Sequence, residues 1–120
     1  MYRGAGDLLP TLGSDVETQA AIGMLVASAE VWLAERGPEL VGLLVLERDH
    51  IAHLYVAPAD QNRGLGSRLL ELAKQRRPRH LDLLTAERNL AARRFYERHG
   101  FRLRGAVGAD LRYDWAPEPA

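Results

Sequence analysis

Apolar and polar positions alternate along this chain with two different periods, and the period changes more than once. After Gly-rich residues 1–13, Ser14-Asp15-Val16-Glu17 has the form of a helix capping box, and Ala20, Ala21, Met24 and Leu25 recur at helical spacing, which predicts a helix over about 15–27. The apolar runs Glu30–Glu35, Leu40–Glu47 and Ile51–Val56 follow, separated by Arg36-Gly37-Pro38-Glu39 and Arg48-Asp49-His50. Short apolar runs parted by Gly-Pro and polar links predict three strands in an antiparallel meander, and Pro58 closes the third because it cannot donate to a ladder.

A helical period returns at Ser67–Arg77, where Leu65, Leu69, Leu72 and Ala73 form one stripe and Pro78 ends the pattern. His80–Thr85 reads as a strand, Asn89 as the N-cap of a helix over about 90–99, and Gly100 as its end. Phe101–Arg104 and Leu111–Trp115 are two further strand candidates. The order predicts an α/β (α+β) fold, one domain over 1–120 with a mixed central sheet flanked by helices and an irregular start over 1–13.

Composition narrows the function classes. A chain of 120 residues has room for one core, and 47% apolar with 27% charged residues is the make-up of a folded globular domain. Lys+Arg and Asp+Glu both number 16, which disfavours a broadly basic nucleic-acid surface. Without cysteine, a disulfide, a thiolate nucleophile and a cysteine zinc site are excluded, and His50, His53, His80 and His99 lack metal-ligand spacing, so no metal is expected. No apolar run approaches the ~20 residues of a membrane span and no leader pattern is evident, so the expected location is cytoplasmic. The basic run from Lys74 to His80 lacks interleaved aromatics and reads as a helix end with a solvated face; His80 and His99 read as surface residues.

The candidate chemistry lies in Gln61-Asn62-Arg63-Gly64-Leu65-Gly66-Ser67, between a strand and a helix. A helix start presents unpaired N–H groups to an anion, and Gly64 and Gly66 admit close backbone approach. Arg63 and Arg68 add positive charge. Gly-x-Gly before a helix also occurs as a plain tight turn. A nucleotide P-loop is excluded by the missing Gly-Lys-Ser/Thr, and a dinucleotide fingerprint lacks its third glycine where Leu69 stands.

Gln-x-x-Gly-x-Gly after a strand resembles the acyl-CoA loop of the GNAT superfamily of acetyl-CoA-dependent N-acetyltransferases. Asn89-x-x-Ala92-x-x-Phe95-Tyr96-x-x-x-Gly100-Phe101 resembles that family's second signature, in the expected order and at the expected distance. The resemblance spans roughly 40–104. It implies acetyl-CoA as co-substrate and an amine acceptor, with amides from Asn62 to Ser67 on the pyrophosphate. It further implies that strand Leu54–Val56, Tyr55 included, splays from His80–Thr85 and pairs with pantetheine, that Asn89 contacts the pantetheine end, and that Tyr96 protonates the departing thiolate. Positions 89, 92, 96 and 99 share a helical face, and a tyrosine of pKa about 10 is protonated at neutral pH. Phe95 reads as a core residue, and a packing role is the alternative reading of Tyr96.

A lysine-like amine is neutral in only about one molecule in 2,500 at pH 7, so amine attack calls for a base. His50, eleven residues before Gln61 on the strand where family members place a Glu or His, is the candidate, and Glu47 acting through water is the reserve. His50 fits a surface strand end equally well. Strict alternation puts His50 on one face with Ala52 and Leu54, and His53 on the other. Family members usually begin with a strand and a longer helical region, whereas about 29 residues precede the first clear strand here. A shortened N-terminus, a missing first strand and a homodimer that completes the sheet or the acceptor pocket are therefore expected. Two functions follow: direct acetyl transfer to a primary amine, or a non-catalytic acyl-CoA-binding module or regulatory subunit.

Overall fold

The computed structural model describes the backbone of residues 19–26 and all of residues 29–117. The irregular stretch 1–13 and the capping box at Ser14–Glu17 lie outside them. The elements run β1 (Gln19–Val26), β2 (Ala29–Arg36), β3 (Glu39–Glu47), β4 (His50–Val56), a 3-10 turn (Pro58–Asp60), α1 (Leu65–Arg76), β5 (Leu81–Ala86), α2 (Leu90–Arg98), β6 (Arg102–Val107) and β7 (Asp110–Trp115). Seven strands form one sheet in the order β1-β2-β3-β4-β5-β7-β6, antiparallel except for the parallel pair β4–β5.

The meander, both helices and the two C-terminal strands stand where periodicity places them. The helix expected over 15–27 does not: Gln19–Val26 is a strand, in register with β2 from Gln19↔Arg36 to Val26↔Ala29. Helical spacing of apolar residues is a weak determinant beside an eight-residue ladder, and Gly23 inside the run costs a helix about 1 kcal/mol relative to alanine. The expectation of a missing first strand falls with it, because a strand precedes β2 and forms one edge of the sheet.

One face of the sheet carries the core. Trp32, Ala34, Leu44, Leu46 and Ile51 are buried there against Leu65, Leu69, Leu72 and Ala73 of α1. Gly42 lets α1 settle closely, since a Cβ on it would stand 3.0 Å from Leu69 Cδ1 and 3.3 Å from Ala34 Cβ. At its C-terminal end α1 is tied to β2 through Glu30, which accepts from Trp32 Nε1, Arg76 Nε and Arg77 Nη1. Burial alone would raise the Glu30 carboxyl; these donors hold it below the usual carboxylate value. Lys74 donates to the His99 carbonyl at 2.7 Å and lies over Trp115. Three cations of the basic run thus serve as internal ties.

A β-bulge corrects the expected side-chain alternation on β4. Val45 opposes His53 and Leu46 opposes Ile51, so Ala52 is an extra residue on β4. Directly opposed residues share a face, so Ile51, Leu54 and Val56 all face α1 with Leu46, Leu44 and Gly42. His50 therefore shares the other face with Glu47, His53 and Tyr55, and is parted from Leu54.

Leu69 is fully buried opposite Gly42. Leu69→Ala is expected to cost about 2–5 kcal/mol, read as a lower midpoint in urea unfolding with an unchanged slope.

Candidate active site

Between α1, α2 and the diverging ends of β4 and β5 lies a cleft of about 640 Å³, lined by Leu54, Val56, Gln61, Asn62, Gly64, Gly66, Ser67, Asn89, Ala92, Tyr96 and further α2 residues. The divergence is set by pairing. β4 and β5 match only at His50↔Asp82 and Ile51↔Leu83; beyond these the edge of β4 toward β5 has no strand partner among the described residues. The backbone of Ala52–Val56 on that side is left to a ligand able to pair as an extended chain would.

The two sequence signatures meet at this cleft. Gly64 is the N-cap of α1 with φ 85°, a left-handed conformation that glycine adopts without Cβ strain, and no side chain caps the helix. The first-turn amides therefore remain available to an anion, reinforced by the helix dipole. Asn62 also has positive φ, 63°, so the backbone turns sharply before the helix starts. A side chain at Gly66 would stand 3.3 Å from the Phe95 ring, so glycine keeps α2 and the loop close. The carboxylate of Asp60, 3% exposed, pairs with Arg36 and ties the start of the loop to the end of β2. Gln61 donates its side-chain amide to the Val56 carbonyl at 3.1 Å, bracing the loop against the strand it leaves.

Of the other expected residues, Leu65 is buried in the core and Arg63 is exposed outside the cleft lining, so each can offer the cleft only its backbone or its charge at a distance. The Tyr55 side chain points to the far face of the sheet and is half exposed. Asn89 lines the cleft and caps α2, its Oδ1 accepting from Ala92 N at 3.1 Å, which leaves its NH2 for a ligand. His99 is not a surface residue as expected. It is part-buried, with Nδ1 2.8 Å from the Phe95 carbonyl and Nε2 2.9 Å from Ser67 Oγ, joining α2 to the first turn of α1. With Nδ1–H donating to the carbonyl, Nε2 accepts the Ser67 hydroxyl proton.

Tyr96 lies in the cleft wall, edge-on to Phe95 and 5.7 Å from the Phe101 ring, so it both packs and borders the cavity. Burial pushes its hydroxyl up to about 12, since the phenolate would lose its hydration there. His50 and Glu47 oppose each other across β3–β4, on the face away from the helices. His50 Nδ1 lies 2.6 Å from Asp82 Oδ1.

Three participants escaped the sequence reading. Arg94 and Arg98 line the cleft, and neither has a carboxylate partner among the described residues, so their charges are free to face an anionic ligand. Their spacing of four on α2, one turn apart, was the available signal. Asp82 was visible only as a lone carboxylate inside an apolar strand.

Comparison with known proteins agrees with this geometry. The family described as "Acetyltransferase (GNAT) domain" matches residues 27–103, and the chain belongs to the GNAT acetyltransferase family. It is 34% identical over 79 residues to the peptidyl-lysine N-acetyltransferase YiaC of Escherichia coli, a match covering 65% of this chain and 53% of that one. It is 35% identical over 96 residues to the "Probable N-acetyltransferase Rv2775" of Mycobacterium tuberculosis, covering 72% of this chain and 52% of that one. The chain thus spans about half the length of these curated relatives. Among solved structures, the PaiA N-acetyltransferase of Thermoplasma acidophilum in complex with coenzyme A shares the fold with a TM-score of 0.67 at 19% identity, over 75% of this chain and 62% of that one. Family membership thus accounts for the fold and for the two signatures that meet at the cleft. Among the described residues no group of three or more His, Cys, Asp or Glu could hold a metal, and no helix is long and apolar enough to cross a membrane.

Raising the pH should ionise Tyr96 well after a solvent-exposed tyrosine. Because its folded-state value lies above the ordinary 10, its burial stabilises the fold at all pH below about 10 and this contribution is lost as pH rises toward about 12. In a spectrophotometric titration, the phenolate absorbance missing from Tyr96→Phe should belong to the part of the curve above the ordinary value of 10.

Proposed function

We propose that the chain is an N-acetyltransferase that moves the acetyl group of acetyl-CoA directly to a primary amine. The observation that carries this reading is the meeting of an uncapped helix start, an unpaired strand edge and a protonated buried tyrosine around one cleft. The first-turn amides around Gly64 and Gly66 hold the diphosphate, and the open edge of β4 from Leu54 to Val56 holds the pantetheine arm. Arg94 and Arg98 supply charge at the cleft rim, and the Asn89 amide meets the arm's far end. Tyr96 keeps its proton at neutral pH and donates it to the departing thiolate. His50 removes the proton of the attacking amine, with Glu47 beside it. The printed activity of the Escherichia coli relative makes a lysine side chain of a peptide the first acceptor class to try. The outer edge of β1 has no strand partner among the described residues, and a homodimer paired along it belongs to the same proposal; a monomeric mass by light scattering at micromolar concentration removes it.

Isothermal calorimetry with CoA and with acetyl-CoA tests the binding half: heat with both is expected, and silence with both overturns the reading. For the chemical half, Tyr96→Phe is expected to lower kcat by about 10²-fold or more while acetyl-CoA affinity changes little. Equal activity of the variant would remove Tyr96 from the mechanism. Binding without thiol release against a broad amine panel would identify the chain as a coenzyme-binding module instead.

A further inference from the structure

Resting on the transferase reading, we propose that Asp82 is the positioning residue for His50, fixing which ring nitrogen serves as the base. Three observations carry this.

The first is register. β4 and β5 pair only at His50↔Asp82 and Ile51↔Leu83 and then part, so His50 and Asp82 sit at the closed point of the opening between the strands. The second is sidedness. The bulge at Ala52 turns His50 to the face it shares with Glu47, His53 and Tyr55, whereas Leu54, Val56 and the cleft beneath α2 belong to the other face. Paired parallel residues share a face too, so Asp82 lies beside His50 and Leu83 joins Ile51 in the core.

The third is chemistry. An ionised carboxylate only accepts hydrogen bonds, so the 2.6 Å contact from His50 Nδ1 to Asp82 Oδ1 makes Nδ1 the donor. In the neutral ring, Nε2 is then the free lone pair, the atom a base must present. Asp82 is itself held by Arg112, whose Nη2 lies 3.4 Å from Asp82 Oδ2, and by its N–H donating to the Asp49 carbonyl at 2.9 Å. The charged groups facing this pair are Glu47 from β3, His53 from β4, and Arg112 and Asp114 from β7, Asp114 standing directly opposite Asp82 and paired with Arg104 of β6. The His50 side chain remains 38% exposed, open to an incoming amine.

In the step itself, the amine nitrogen bonds to the acetyl carbonyl carbon and the carbon–sulfur bond breaks. One nitrogen proton passes to His50 Nε2, and the sulfur takes the Tyr96 proton; no oxidant or reductant is needed. Asp82 stays ionised and balances the imidazolium.

The test compares two acceptors with acetyl-CoA as donor: an N-terminally blocked peptide offering one lysine, and a lysine-free peptide offering its α-amine. The α-amine, near pKa 7.7, is already neutral in about one molecule in six at pH 7 and needs a base far less. Asp82→Asn and His50→Gln should both lower kcat for the lysine peptide by about 10²-fold and for the α-amine by less than about tenfold, with unchanged acetyl-CoA heat. Equal losses on both acceptors, or full activity of Asp82→Asn on lysine, would overturn the inference. Should a variant fail to fold, nitrogen-15 imidazole spectra of the unaltered protein decide: a protonated Nδ1 on His50 is expected, and a protonated Nε2 in the neutral ring overturns it. A wild type that binds acetyl-CoA but acetylates neither peptide overturns the inference and leaves coenzyme binding standing. One that shows no heat removes the transferase reading with it.

Discussion

Two parallel strands that start together and do not stay together govern this molecule. After Ile51↔Leu83 the ladder between β4 and β5 ends, although both strands continue for several residues. Backbone groups left without partners in the middle of a sheet are costly unless water or a ligand satisfies them. The fold meets that demand by opening a cleft at the gap, walling it with α1 and α2, and leaving the edge of β4 accessible. The helices can diverge in this way because α1 is anchored by its core stripe and its C-terminal ties to Glu30, while α2 is held through Tyr113, which donates to Glu97 at 2.6 Å. What is lost in sheet pairing becomes one wall of the cleft.

Much of this was legible in the residues, and the limits are instructive. The meander, the loop at Gln61–Ser67 and the helix capped by Asn89 follow from local chemistry: turn residues, an N-cap oxygen and an unbroken stripe of leucines. Such features depend on neighbours within a few positions, so a linear reading reaches them. Gln19–Val26 was misjudged because its state is decided by the ladder to β2, a partner some ten residues away, rather than by its own spacing. The bulge at Ala52 is the same kind of failure on a smaller scale. Nothing in Ile51-Ala52-His53 announces an extra residue; it arises from how β3 and β4 must align, and it reverses which face His50 serves.

Residues of the candidate site divide along the same line. Gly64, Gly66, Asn89 and Tyr96 lie in signatures of fixed spacing and could be named in advance. Asp82, Arg94, Arg98 and the bond between His99 and Ser67 require knowledge of which elements face each other. His99 shows why a histidine at a helix end cannot be assigned to the surface from sequence: its ring is occupied on both nitrogens, once within its own helix and once across to α1.

The pairing of Arg36 with buried Asp60 has a consequence for how the loop behaves as a whole. Because the residue immediately before Gln61 is clamped to the tip of the β2–β3 hairpin, the loop cannot drift without either stripping a buried carboxylate of its partner or dragging the hairpin along. Its shape before any ligand arrives is thus borrowed from the meander. On the proposed function, little ordering entropy would remain to be spent by a diphosphate settling there, and strain anywhere in the hairpin would be felt as a looser grip on it.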